Sequence, residues 1–100
     1  MSKYAKKVVL NSVSGYSPAR DALLNDLIDS KVELLCCVGK DCETWHDVMD
    51  ELIVGGGSFE RDFFMVTTWH TGESLADTVE FAQLFNIDDP DNESVQLIEI

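Results

Sequence analysis

Ser12, Ser14 and Ser17, with Gly15 among them, bring three hydroxyls and a flexible backbone to the end of an apolar run, Val8 to Val13. A strand that opens into such a loop, and then into a helix, suits a phosphate. Hydroxyls and backbone N–H groups donate, and the dipole of the following helix favours an anion. A second polar tip, Thr67-Thr68-Trp69-His70-Thr71-Gly72-Glu73-Ser74, follows the apolar run Phe63 to Val66. In a parallel sheet, ligands bind at such tips, so Thr68 and Trp69 stand where a ligand would be met. Ser and Gly are also ordinary turn and cap residues. Cys42, His46 and His70 make a third group, the first two one helical turn apart. Three such ligands suit zinc, and a Cys–His pair suits a nucleophile. No C-x-x-C or H-E-x-x-H spacing is present. Cys42 is therefore expected to pack beneath Trp45, and no metal is expected.

The fourth group is the longest. Asp41, Glu43, Asp47, Asp50 and Glu51 share one segment with Trp45 and His46. Carboxylates serve as acid and base only where their environments separate their pKa values. A solvated helix face does not do that, so a non-enzymatic role is expected. The same face suits capture of an Arg/Lys-rich protein surface such as the active site of a nuclease. Trp45 or Trp69 would be the anchor, with His46 and His70 beside them. Charge points the same way. The chain of 100 residues carries a net −12. Its first 61 residues hold 10 acids and 7 bases, net −3, and its last 39 hold 9 acids and no Lys or Arg, net −9. Such a surface repels nucleic acid and anionic membranes and favours basic proteins. Acidity alone also keeps a protein soluble.

The elements that must position these groups follow from periodicity. Val8 to Val13 is an expected strand, and Ser17 with Pro18 is an N-cap and first helical position. The first helix runs to about Ser30, burying Leu23, Leu24, Leu27 and Ile28. Val32 to Val38 is continuously apolar and reads as a strand covered on both faces. Cys36 and Cys37, adjacent there, point to opposite faces as small buried hydrophobes. Asp41 is expected to cap a second helix whose apolar stripe is Trp45, Val48, Met49, Leu52 and Ile53, ended by Gly55-Gly56-Gly57. Phe63 to Thr68 is a third strand. Ser74 caps a third helix, with Asp77 three residues on. Asp88 to Asn92 is a turn, and Val95 to Ile100 a last strand.

This β-α-β-α-β-α-β order predicts one α/β domain over residues 1–100. It is a three-layer sandwich with a four-stranded, mainly parallel sheet. Right-handed crossovers give the order 2-1-3-4, a flavodoxin-like half, with the first helix on one face and the other two opposite. An exposed last strand is a route to a homodimer. No apolar run approaches the ~20 residues that cross a bilayer. Lys3, Lys6 and Lys7 precede only a short apolar run, and three cysteines make no disulfide framework. A cytoplasmic location is therefore expected.

Three resemblances add to this reading. The loop Ser12-x-Ser14-Gly15-x-Ser17, with Thr68-Trp69 after the third strand, resembles the flavodoxins. It implies FMN held by Ser12, Ser14, Gly15 and Ser17 with Trp69 against the ring. Flavodoxins also use a fifth strand and a second flavin-flanking loop that this sequence does not contain. Gly39-x-Asp41-Cys42-x-x-Trp45, Met49-Asp50-Glu51, Thr67-Thr68-x-His70-x-x-Glu73-Ser74-Leu75 and Phe81-Ala82 are together similar to a small bacterial α/β domain family of unknown function. That likeness implies a bacterial or phage source and brings no activity. In size, acidity and an acidic helix bearing a tryptophan, the chain also resembles bacterial immunity proteins. That likeness implies an immunity-type or anti-defence inhibitor of a basic partner. The expected role is accordingly an acidic protein-binding module without a cofactor, the alternative being a site for FMN or a nucleotide at the strand tips.

Overall fold

A computed structural model describes residues 4–55, 65–85 and 94–100. Its elements are β1 (Lys7–Ser12), a 3-10 turn (Pro18–Arg20), α1 (Asp21–Asp29), β2 (Leu34–Gly39), α2 (Cys42–Gly55), β3 (Val66–Trp69), α3 (Leu75–Leu84) and β4 (Val95–Glu99). Every element expected from periodicity is present. Some boundaries shift: Val13 is exposed beyond β1, Trp69 joins β3, β2 starts at Leu34 although Val32 is buried, and α1 starts at Asp21 behind the 3-10 turn. Phe63, Phe64, Gly56, Gly57 and the turn at Asp88–Asn92 lie outside the described residues.

The sheet is all parallel, in the order β3-β2-β1-β4. The expected pairing of β1 with β2 is present. The expected pairs of β1 with β3, and of β3 with β4, are replaced by β2 with β3 and β1 with β4. Burial explains the choice. In β1 and β2 all but one residue each are buried, which suits central strands, whereas β3 and β4 are half-buried and suit edges. The order is that of the first four strands of a dinucleotide-binding sheet, not of a flavodoxin half. The point where the chain reverses direction across the sheet therefore lies between β1 and β4.

The layers follow from that order. Two successive steps in one direction put α1 and α2 on the same face, and the return step puts α3 on the other, as right-handed crossovers require. Leu24, Leu27, Trp45 and Met49 pack with Val8, Leu10, Leu35 and Cys37 on the first face. Ala82, with Leu75, Val79 and Phe85, packs on Val9, Leu34, Cys36 and Val38 on the second. The expected placement of α2 beside α3 is thus corrected: α2 lies beside α1.

Two caps differ from expectation and one agrees. Ser74 Oγ accepts from Asp77 N at 3.1 Å, as its sequence context required. Ser17 is extended ahead of the 3-10 turn, but its side chain makes no capping bond. Asp41 has φ 60 and sends its carboxylate away from α2 to another loop. Lys7 was not anticipated. Its Nζ reaches α3 and donates to the Ala82 carbonyl at 2.7 Å and the Gln83 carbonyl at 3.3 Å. These are last-turn carbonyls, beyond the i+4 ladder of the helix; that of Ala82 also accepts from Phe85 N at 3.3 Å.

Candidate functional site

The loops after β1 and β2 are locked by their own polar groups. Ser12 Oγ, buried at the end of β1, accepts from Trp45 Nε1 at 2.9 Å and from Gly15 N at 3.1 Å. Those two donors fill the acceptor capacity of the hydroxyl. The Asp41 carboxylate accepts from Tyr16 N at 3.1 Å, and Lys40 N donates to the Ser12 carbonyl at 2.8 Å. Gly15 and Gly39 have φ 88 and 92. A Cβ on Gly15 would sit 2.6 Å from the Asp41 carboxylate, and one on Gly39 would meet the Ser12 carbonyl. Only glycine permits that approach and that backbone together. On the other side, Val13 N and Ser14 N donate to the Ile100 carbonyl.

The residues expected to hold a phosphate are therefore not assembled as one site. Ser12 is committed to Trp45, and the Gly15 N–H to Ser12. Ser14 and Ser17 are exposed. Thr68 and Trp69 lie on β3, with β2 between them and the β1 loop. Trp45 is fully buried, its ring 5.3 Å from that of Tyr16 at 84°, so it is a core residue and not an exposed anchor. Tyr16 in turn donates its hydroxyl to Asp21. That hydrogen bond first, then burial and carboxylate charge, push its phenol up to about 12.

β3 sorts its side chains by strand alternation. Thr67 and Trp69 face α2. Thr67 Oγ1 donates to Asp50 Oδ1 at 2.7 Å and lies 2.7 Å from His46 Nδ1. The hydroxyl has a single proton, so with it given to Asp50 the His46 contact needs Nδ1–H as donor. His46 Nε2 lies 3.4 Å from Asp50 Oδ2. The Trp69 indole rests on this imidazole, centroids 4.4 Å apart and planes at 35°. Trp69 is 45 % exposed. It is thus propped on one side by a fixed ring and open on the other. Thr67 is the member that sequence reasoning missed. Its position two before Trp69 was the available signal.

His70 faces the other way and is 5 % exposed. Its Nε2 lies 2.8 Å from Thr68 Oγ1, its Nδ1 3.0 Å from Glu73 Oε2, and its ring packs against Phe81 at 4.9 Å. It ties the turn after β3 to α3. Cys42 Sγ lies 3.4 Å from Thr71 Oγ1. Cys42, His46 and His70 do not converge, and among the described residues no cluster of His, Cys, Asp and Glu is placed to hold a metal ion. All three cysteines are free and buried. Burial pushes the Cys36 thiol up to about 11 and the Cys37 thiol higher still.

At 100° per residue, the outer surface of α2 runs from the β3 side through His46, Asp50, Glu43, Asp47 and Glu51. The four carboxylates are exposed, and α2 carries no Lys or Arg. Asp41, exposed just before the helix, extends the acidic surface to the β1 loop. The structure thus gathers His46, Asp50, Thr67 and Trp69 with Glu43, Asp47 and Glu51. It leaves Trp45 and His70 inside.

These features define a small all-parallel α/β domain with an acidic helix face edged by an exposed, histidine-backed tryptophan. The chain belongs to a family described as a domain of unknown function, DUF7684, whose model matches residues 3–100. That agrees with the resemblance to a small domain family of unknown function. No curated protein and no solved structure matches the chain. No helix among the described residues is long and apolar enough to cross a membrane.

Proposed function

We propose that this protein is a non-enzymatic binding module of the immunity or anti-defence inhibitor type, which engages a basic protein surface through α2 and the tip of β3. The observation that carries the reading is the open face of Trp69, fixed against His46 beside the carboxylates of Asp50, Glu43, Asp47 and Glu51. A rigid indole supplies contact area at little entropic cost, and the surrounding charge steers a cationic partner and imitates a phosphate backbone. A bacterial, cytoplasmic setting belongs to the same reading, and three free thiols suit a reducing compartment.

The test uses the tagged chain as bait beside two variants. Glu43→Lys/Asp47→Lys/Glu51→Lys reverses one stripe of α2 without touching the bonds of Asp50, and Trp69→Ala removes the anchor. The expected result is a cationic protein partner whose affinity for the wild type falls as salt rises. The triple variant loses it by two orders of magnitude or about 3 kcal/mol, and Trp69→Ala loses about 2 kcal/mol. Binding and salt dependence unchanged by the triple reversal overturn the proposal.

A further inference from the structure

β4 offers an interaction surface at the sheet edge remote from α2 and β3. Among the described residues it pairs with β1 alone. Ile100 N donates to the Asn11 carbonyl and Ile100 O accepts from the loop after β1, so Ile100 turns its backbone polar groups toward β1. Strand residues alternate in this respect. Gln96 and Ile98 therefore also face β1, and Val95, Leu97 and Glu99 turn their N–H and C=O groups outward. Among the described residues no hydrogen bond reaches those outward groups. Natural edges are usually guarded by Lys, Pro or a bulge. β4 reads Val-Gln-Leu-Ile-Glu, its register with β1 is unbroken, and Leu97 is 48 % exposed on the α3 face.

We infer that β4 pairs antiparallel with β4 of a second copy of this chain, about a two-fold axis through Leu97. In that register Leu97 lies opposite Leu97 of the other copy, Val95 opposite Glu99, and Gln96 opposite Ile98. The outward groups of Val95, Leu97 and Glu99 are then all satisfied reciprocally, and two half-exposed leucines cover each other. The occupant is a second copy because the register is self-complementary, as an isologous contact requires. Charge restricts such a contact to a narrow one. Each copy carries −12, which opposes a broad contact between copies. β4 carries only Glu99 as a charge, and the register sets it against Val95 and not against its own copy. A cationic partner has the acidic face at the far edge of the sheet instead. The two copies form one continuous eight-stranded sheet with both α2 faces left open.

Sedimentation velocity on the full chain tests this, as a series in protein and sodium chloride concentration. The expected result is a reversible dimer that strengthens with salt, because screening weakens the repulsion between copies. That sign is opposite to the salt response of basic-partner capture, so the two proposals fail separately. Leu97→Lys sets two ammonium groups side by side and weakens the dimer roughly tenfold or more. Leu97→Pro removes an outward N–H that the β1 ladder does not use and abolishes the dimer. Circular dichroism verifies that both variants stay folded. Should either misfold, amide exchange on the wild type decides. Val95, Leu97 and Glu99 are expected to gain protection with protein concentration, while Gln96 and Ile98 are protected throughout. A chain that stays monomeric at every concentration and salt overturns the inference. So does a dimer that folded Leu97→Lys leaves intact, or one lost in Glu43→Lys/Asp47→Lys/Glu51→Lys.

Discussion

Tyr16 shows at the scale of one residue how a loop is held and how that hold depends on pH. Its hydroxyl donates to Asp21, and that bond keeps the proton on the phenol up to about 12, against about 10 for an ordinary tyrosine. The folded value lies above the unfolded one. The bond's contribution is therefore present in full below pH about 10 and is lost as pH rises through about 12. The chain has two tyrosines, so in a Tyr4→Phe background the tyrosinate absorbance reports Tyr16 alone. The inflection is expected near 12, and Asp21→Ala should bring it down toward 10. An inflection already near 10 with Asp21 present would show that the bond does not form. The site was legible to about the same depth. Glu43, Asp47, Asp50 and Glu51 were assigned to a wet face from helical phase, and they are exposed. Trp45 fitted both the apolar stripe and the anchor role, and its complete burial, with the bond to Ser12, decides for the stripe. Trp69 and His70 looked like a pair in sequence. Strand alternation separates them, giving the indole to α2 and the imidazole to α3.

Between elements, the informative contact is Lys7. It is fully buried on β1, facing α3, and its Nζ closes the last turn of that helix through the carbonyls of Ala82 and Gln83. A cationic donor at a helix C-terminus meets both the last-turn carbonyls and the negative end of the dipole. Lys7→Met keeps most of the buried stem and removes the donor, leaving the Ala82 carbonyl without it. Urea unfolding should show a loss of about 1–3 kcal/mol at unchanged m-value, and an unmoved midpoint would mean the bond contributes nothing. No sequence pattern announces this contact, because it joins residues 75 apart through a strand-to-helix packing that only the strand order creates. The elements themselves were legible because each rests on local pattern: a continuous apolar run for β2, a complete helical stripe for α2, a serine cap for α3. The order was not, because right-handed crossovers allow β3 to lie beside β1 or beside β2. What separates the two is how much of β3 and β4 is left uncovered. That depends on where α3, on the second face, comes to rest.

For the molecule as a whole, charge sets the terms. A body with a Cα radius of gyration of 12.6 Å holds a net −12. Among the described residues, His46 lies 3.4 Å from Asp50 and His70 lies 3.0 Å from Glu73. The carboxylates of α2 stand exposed along one helix face, and the helix carries no Lys or Arg. Like charges so placed repel in the compact state and relax when the chain unfolds and spreads them apart. The same field that would draw a cationic partner to Trp69 therefore costs the free protein stability. The Debye length shortens from about 30 Å at 10 mM salt to about 8 Å at 150 mM, passing from above the radius of gyration to below it. Melting temperature at a concentration that keeps the chain monomeric should therefore rise across that interval. Relief of about 1 kcal/mol corresponds to about 4–8 °C for a domain of this length. The triple reversal Glu43→Lys/Asp47→Lys/Glu51→Lys changes the net charge from −12 to −6 and should flatten the rise. A melting temperature that stays level or falls as sodium chloride increases would show that the acidic face is compensated within the fold. The face would then no longer be a store of repulsion that a basic surface relieves on binding.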